Sequence, residues 1–152
     1  MNNGAHKYVD CIKKFSELDP ADCELIETAI SARKFAYVPY SNFAVGAALR
    51  TKCGKVFSGC NVENAAFTPG ACAERTAISK AVSEGYKEFE SCAVVAYQKD
   101  TLTPPCGVCR QFLMEFAAED FPVYVARAED PPNEVLCTSV YNLLPNGFRN
   151  FK

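Results

Sequence analysis

Two short runs carry the side chains able to do chemistry: Cys72-Ala73-Glu74-Arg75 and Pro105-Cys106-Gly107-Val108-Cys109. Each stands at the head of an expected helix, after a loop that leaves a strand. Cys106 and Cys109 are three apart, so their sulfurs face the same way on one helical turn. Cys72 opens the other helix. Helix N-termini carry partial positive charge and free N–H groups, which favour thiolate over thiol. Three thiolates make a tetrahedral zinc site with one position open to water, the pattern of a catalytic zinc. Glu74 follows two residues after Cys72 on the same first turn. That spacing puts a carboxylate beside the open position without ligating the metal, as a proton carrier requires. Three thiolates on a divalent ion leave a net −1 site, and Arg75 supplies a guanidinium that offsets it.

Other readings of these residues stay open at this level. A single C-x-x-C also suits a redox pair or half of a structural zinc site. A redox pair predicts no third cysteine in an equivalent place and no acid beside it. A four-cysteine site predicts a second C-x-x-C, and Cys11, Cys23, Cys53, Cys60, Cys92 and Cys137 form none. Glu74 also fits an ordinary first-turn glutamate, and Arg75 an exposed helix arginine.

The elements that must position these groups follow from pattern. Asp19-Pro20 starts a helix, with Leu25, Ile26, Ala29 and Ile30 at helical spacing and Pro39 as the stop. Residues 43–51 and 56–60 read as strands joined by the turn Lys52-Cys53-Gly54-Lys55. A loop over 61–71 leads to a helix over 72–84, with Gly85 as its C-terminal cap. A strand over 91–98, a helix over 106–118 and a strand over 122–126 follow. The strand-helix-strand alternation implies parallel neighbours. A last strand over 134–138, reached by too short a loop for a crossover, runs antiparallel. The expected fold is a three-layer α/β/α sandwich on a five-stranded mixed sheet, one domain over residues 19–152. Residues 1–18 form an N-terminal extension, weakly amphipathic and partly helical.

Composition narrows the function classes. Sixteen Lys and Arg against eighteen Asp and Glu leave a net charge of −2, with no block of like charge. That is no footprint for nucleic acid or for an anionic membrane. The first residues lack the apolar core of a secretory signal, and no apolar run approaches a membrane span. A cytosolic protein is expected, its nine cysteines reduced, metal-bound or buried. The one histidine, His6, lies in a polar N-terminal stretch and reads as solvated. Mechanisms that need a histidine base or a histidine-rich metal site are thereby excluded.

The C-A-E-R and P-C-G-V-C motifs, with 33 residues between Cys72 and Cys106, resemble the zinc-dependent cytidine deaminase family. The resemblance runs over residues 32–148. It includes Tyr40-Ser41-Asn42-Phe43, Val45-Gly46-Ala47-Ala48-Leu49, Gly59-Cys60-Asn61-Val62-Glu63-Asn64-Ala65 and Leu143-Leu144-Pro145. Nucleotide and nucleic-acid deaminases usually have His where Cys72 stands. The resemblance implies hydrolysis of cytidine and deoxycytidine to uridine and deoxyuridine with release of ammonia, in pyrimidine salvage. It implies one Zn2+ per chain on Cys72, Cys106 and Cys109, with Glu74 as proton shuttle. It further implies that Asn61 and Glu63 bind the ribose 3′-hydroxyl, that Phe43 packs on the pyrimidine, and that Ala73 offers backbone groups to the base. Phe67 stands where relatives often have Tyr. Without the resemblance, Phe43 and Phe67 also read as core, and Asn61 and Glu63 as turn residues.

The family implies a homotetramer in which Ala65, Phe67 and Phe148 approach a neighbour's ligand. Two sequence features fit such an assembly. Ala73, Thr76, Ala77, Ile78, Ala81 and Val82 leave small or apolar surface on the Cys72 helix, and a short tail carries Phe148 and Phe151. The tail can also fold back onto its own chain. A nucleic-acid deaminase and a zinc-stabilised scaffold are the rival classes. The charge balance opposes the first, and a scaffold has no use for Glu74.

Overall fold

Successive side chains of a strand point to opposite faces, and in the centre of this sheet both faces are apolar. The centre consists of β2 (Val45–Thr51), β4 (Phe89–Ala96) and β5 (Pro122–Arg127). Ala47, Leu49, Cys92, Val94, Val123 and Val125 face one way. Ala48, Ala93, Val95 and Ala126 face the other. The first face is covered by α2 (Ala73–Ser83), α3 (Gly107–Glu115) and the short α4 (Val140–Leu143). The second is covered by α1 (Pro20–Arg33), through Leu25, Ile26 and Ala29. Full burial of a side chain such as Leu25 or Ile26 stabilises the fold by roughly 1.5–3 kcal/mol. The result is the expected three-layer α/β/α sandwich. The computed structural model describes residues 7–150. His6, the start of the N-terminal extension, and Phe151 lie outside them.

The sheet has six strands, not five, in the order β1-β6-β5-β4-β2-β3. The additional strand is β1 (Cys11–Lys14), antiparallel to β6 (Glu134–Ser139) with Cys11 opposite Cys137. A 3-10 turn over Phe15–Glu17 follows it. All four β1 side chains are exposed, Ile12 by 54%, so no alternation marked the strand in the sequence. Long-range bonds hold the segment. The Asn142 amide donates to Tyr8 O and Asp10 Oδ1, the Thr138 hydroxyl donates to Asp10 Oδ1, and Phe15 N donates to Asn133 O.

The expectation of parallel neighbours holds for β4 and β5 alone; every other pairing is antiparallel. The crossover through α2 joins β3 (Val56–Cys60) to β4, but β2 lies between them. The hairpin turn puts β2 beside β3, and β2 then offers its other edge to β4. α1 stops at Arg33 rather than at Pro39: past Arg33 the backbone passes into i→i−3 turns, Phe35 N on Ala32 O and Ala36 N on Arg33 O, and the Arg33 side chain donates from Nε to Ala44 O. α3 stops at Glu115, where Phe116 and Ala117 close a tight turn, not at residue 118. The α2 surface expected to serve assembly is largely spent inside the subunit, since Ala73, Ala77, Ile78 and Ala81 belong to its own core. Among the described residues no helix is long and apolar enough to cross a membrane.

Gly59 on β3 sets how closely α2 sits. A Cβ there would lie 2.6 Å from Ala77 N and 2.7 Å from Ala73 O, both backbone atoms that cannot swing away. The Gly59→Ala variant is therefore expected to lose about 1–3 kcal/mol of stability through overpacking. Denaturant unfolding of the variant against wild type measures it. An unchanged midpoint would mean that α2 can move away from β3 freely.

Candidate active site

The N-termini of α2 and α3 meet on one side of the sheet. Cys72 is the N-cap of α2 and Cys106 the N-cap of α3, each with extended backbone, and Cys109 lies on the first turn of α3. The three sulfurs lie within 4.8 Å of one another, and Cys72 Sγ is 3.9 Å from Cys106 Sγ. A tetrahedral zinc with Zn–S bonds of about 2.3 Å sets its sulfurs about 3.8 Å apart, so the triad fits the ion. Among the described residues no other group of three His, Cys, Asp or Glu side chains has that compactness.

Each arm of the triad is braced. On the α3 side Pro105 is buried, and Arg110 donates from Nε to Pro105 O at 2.8 Å and from Nη1 to Leu143 O at 3.0 Å. This fixes the turn into Cys106 against the end of α4. On the α2 side Arg75 reaches back over its own helix start. Its Nη2 lies 3.6 Å from Cys72 Sγ and 3.3 Å from Gly70 O. It is half-buried on a metal-ligand sulfur, so the exposed-arginine reading is set aside.

Electrostatics sets Cys72 apart from Cys109. The Cys72 thiol is pushed down to about 5, first by the hydrogen bond from Cys109, then by Arg75 and Cys106. Cys109 is pushed up, because it donates a hydrogen bond to Cys72 and is buried beside like charges. Glu74 is 4% exposed, with Oε2 3.4 Å from Cys109 Sγ. Burial, more than any neighbour, raises its proton affinity. The site thus holds a buried carboxyl group of raised proton affinity against the sulfur of Cys109.

A cavity of about 480 Å³ opens beside Cys72, lined among others by Ser41, Asn61, Glu63, Phe67 and Arg75. Asn61 ties down the start of β2, since its Nδ2 donates to Phe43 O and its Oδ1 accepts from Val45 N, both at 2.8 Å. Phe43 is half-buried next to this clamp, and Ala73 is buried at the first position of α2. Phe67 is 91% exposed at the cavity edge. Ala65 and Phe148 are exposed and lie outside the cavity lining. Two residues escaped sequence reasoning: Arg110, and Ser41 as more than part of a motif. Both act through hydrogen bonds to groups distant in the chain, which leave no periodic mark.

A metal triad at two helix starts, a buried glutamate beside it and an α/β/α sandwich define the class of zinc-dependent deaminases. A family model described as the cytidine and deoxycytidylate deaminase zinc-binding region matches residues 20–125. The chain is 48% identical over 124 residues to a cytidine deaminase of Halalkalibacterium halodurans, covering 82% of this chain and 91% of that one. It is 47% identical over 127 residues to one of Sporosarcina psychrophila, covering 82% and 89%. The crystal structure of a cytidine deaminase from Burkholderia pseudomallei superposes with a TM-score of 0.75 at 46% identity, covering 82% of this chain and 97% of that one. The chain belongs to the cytidine deaminase family of zinc-binding hydrolytic enzymes.

Cys106→Ala tests the metal set. The purified protein is expected to hold one zinc per chain, and the variant to lose it together with part of its thermal stability, because metal binding is coupled to folding. Elemental analysis checks both. Full zinc in the variant would remove Cys106 from the ligand set.

Proposed function

We propose that the protein hydrolyses free cytidine and deoxycytidine to uridine and deoxyuridine, releasing ammonia, as a cytosolic enzyme of pyrimidine salvage. The observation that carries this reading is Glu74, buried 3.4 Å from Cys109 Sγ at the mouth of the thiol triad. Cys72, Cys106 and Cys109 would hold the zinc, which would supply an acidified water as the nucleophile near neutral pH. The remaining steps belong to the chain. Glu74 takes a proton from the attacking water and passes it to ring nitrogen 3 as oxygen adds at carbon 4. It then carries the second water proton to the departing amine, so that ammonia leaves and the carbonyl of uridine remains. Burial suits it to this work, because a desolvated carboxyl exchanges protons closer to neutrality than an exposed one. Arg75 spreads positive charge onto the Cys72 sulfur and so keeps the thiolate cluster from weakening the ion's pull on water.

Substrate is held on the opposite side of the cavity. Glu63 and Asn61 receive the 3′-hydroxyl, Phe43 packs on the pyrimidine and the Ala73 backbone meets the base. Recognition through the 3′-hydroxyl leaves the 2′ position free, which is why both nucleosides serve. The enzyme works as a homotetramer whose subunits complete one another's sites through Ala65, Phe67 and Phe148. Supporting that assembly, Phe67 is 91% exposed, a large apolar side chain at the cavity edge.

Glu74→Ala is expected to keep its zinc and its fold while cytidine turnover falls by about 100- to 10,000-fold, the range for loss of a general acid–base group. The ultraviolet change from cytidine to uridine gives the rate; a variant retaining more than roughly a tenth of wild-type activity overturns the shuttle.

Mixed assemblies test the shared site. Subunits carrying Glu74→Ala and subunits carrying Phe148→Ala, each nearly inactive alone, are expected to regain activity when reassembled together. Some pockets then combine an intact Glu74 with a neighbour's intact Phe148. No recovery would mean that Phe148 serves its own subunit, and a fully active monomer in light scattering would remove the tetramer.

A further inference from the structure

Glu63 does not stand free in the cavity. Its Oε2 accepts two backbone hydrogen bonds, from Tyr40 N at 2.9 Å and Ser41 N at 3.2 Å. Its Oε1 accepts the Ser41 hydroxyl. The Ser41 hydroxyl oxygen in turn accepts Phe43 N at 3.0 Å. Beneath these bonds the two backbones are stitched together, Tyr37 N to Asn61 O at 3.0 Å and Glu63 N to Tyr37 O at 2.8 Å. The turn over 38–42 is closed by Asn42 N on Val38 O, with Asn42 at a left-handed φ of 55°. One carboxylate therefore caps the turn that delivers Phe43, and one hydroxyl bridges the two.

A carboxylate offers about four lone-pair positions, two on each oxygen. Both positions on Oε2 are used by backbone N–H groups, and Ser41 takes one on Oε1. One acceptor position remains, on Oε1, and its direction is set by where the Ser41 hydroxyl sits. An ionised carboxyl is what this arrangement needs, and the Ser41 bond, first among the causes, holds Glu63 below the usual carboxylate range.

We propose that Ser41 is a positioning residue for substrate, acting through Glu63: its hydroxyl leaves the carboxylate a single vacant acceptor position, aimed for one sugar hydroxyl. The site then has no capacity for a second hydroxyl on the same carboxylate, so selection falls on the 3′-hydroxyl and the 2′ position goes unread by Glu63. The inference rests on the reading of Glu63 as the sugar's acceptor, and the test separates the two.

Steady-state kinetics on cytidine, deoxycytidine and 3′-deoxycytidine are compared for wild type, Ser41→Ala, Ser41→Thr and Glu63→Gln, with zinc content and melting measured for each. In Ser41→Ala, KM for cytidine and deoxycytidine rises by about fivefold, the loss expected from one hydrogen bond, with kcat changed less than about twofold. The loss on 3′-deoxycytidine is clearly smaller, because the group Ser41 serves is absent. Ser41→Thr, which keeps the hydroxyl, restores most of the cytidine KM. Equal losses on all three nucleosides in Ser41→Ala, or a threonine variant as impaired as the alanine one, overturn the role of Ser41. If Glu63→Gln loses as much on 3′-deoxycytidine as on cytidine, the sugar role of Glu63 falls, and the Ser41 inference with it. If the Glu63→Gln loss is smaller on 3′-deoxycytidine than on cytidine and the Ser41→Ala loss is equal on both, only the Ser41 inference falls.

Discussion

Three cysteine sulfurs held within 4.8 Å of one another repel as thiolates, and the architecture around them manages that repulsion. Two of the three are helix N-caps and the third is on a first turn, so each sulfur sits at the positive end of a helix dipole. Arg75 adds a full charge on the Cys72 side. The repulsion can be met only if both helices bring their starts to the same place. Their packing on one face of the sheet is therefore a precondition of the chemistry. Gly59 permits the close seating of α2, and Arg110 ties the start of α3 to the chain near α4.

Around this fixed centre the substrate side is built differently. The metal side is made of helix ends resting on the sheet. The sugar side is made of loops braced by side chains: Asn61 across the entry to β2, and Glu63 across the turn before Phe43. In both places one polar side chain bonds to two backbone groups of a distant segment. Such bridges order a loop without a hydrophobic core beneath it, which suits a surface that must stay open to admit a ligand.

The sequence was most informative where a feature depends on neighbours in the chain. The starts of α2 and α3, the i, i+3 spacing of Cys106 and Cys109 and the hairpin before β3 are local, and they were legible. The buried centre of the sheet was legible too, because unbroken apolar runs such as residues 92–96 have few other uses. Features made by distant partners were not. β1 has no buried residue to mark it and exists because β6 offers an edge. The bond that ties the end of α1 to Ala44 joins residues eleven apart, and the insertion of β2 between β3 and β4 is a matter of topology. At the site, spacing singled out Glu74 and the family resemblance pointed to Glu63, but neither the burial of the first nor the turn-capping by the second can be read from local order.

The short strand β1 has a consequence of another kind. A sheet edge presents a row of unpaired N–H and C=O groups, onto which another molecule's strand can add. Without β1 that edge would be β6, a six-residue strand whose partner β5 comes from the apolar centre. Four exposed residues occupy it instead and carry Lys13 and Lys14 outward. Lysines on an outermost strand repel a second copy of themselves and hold water. The segment that contributes least to the core thus limits growth of the sheet, and with it the tendency of folded molecules to aggregate at high concentration.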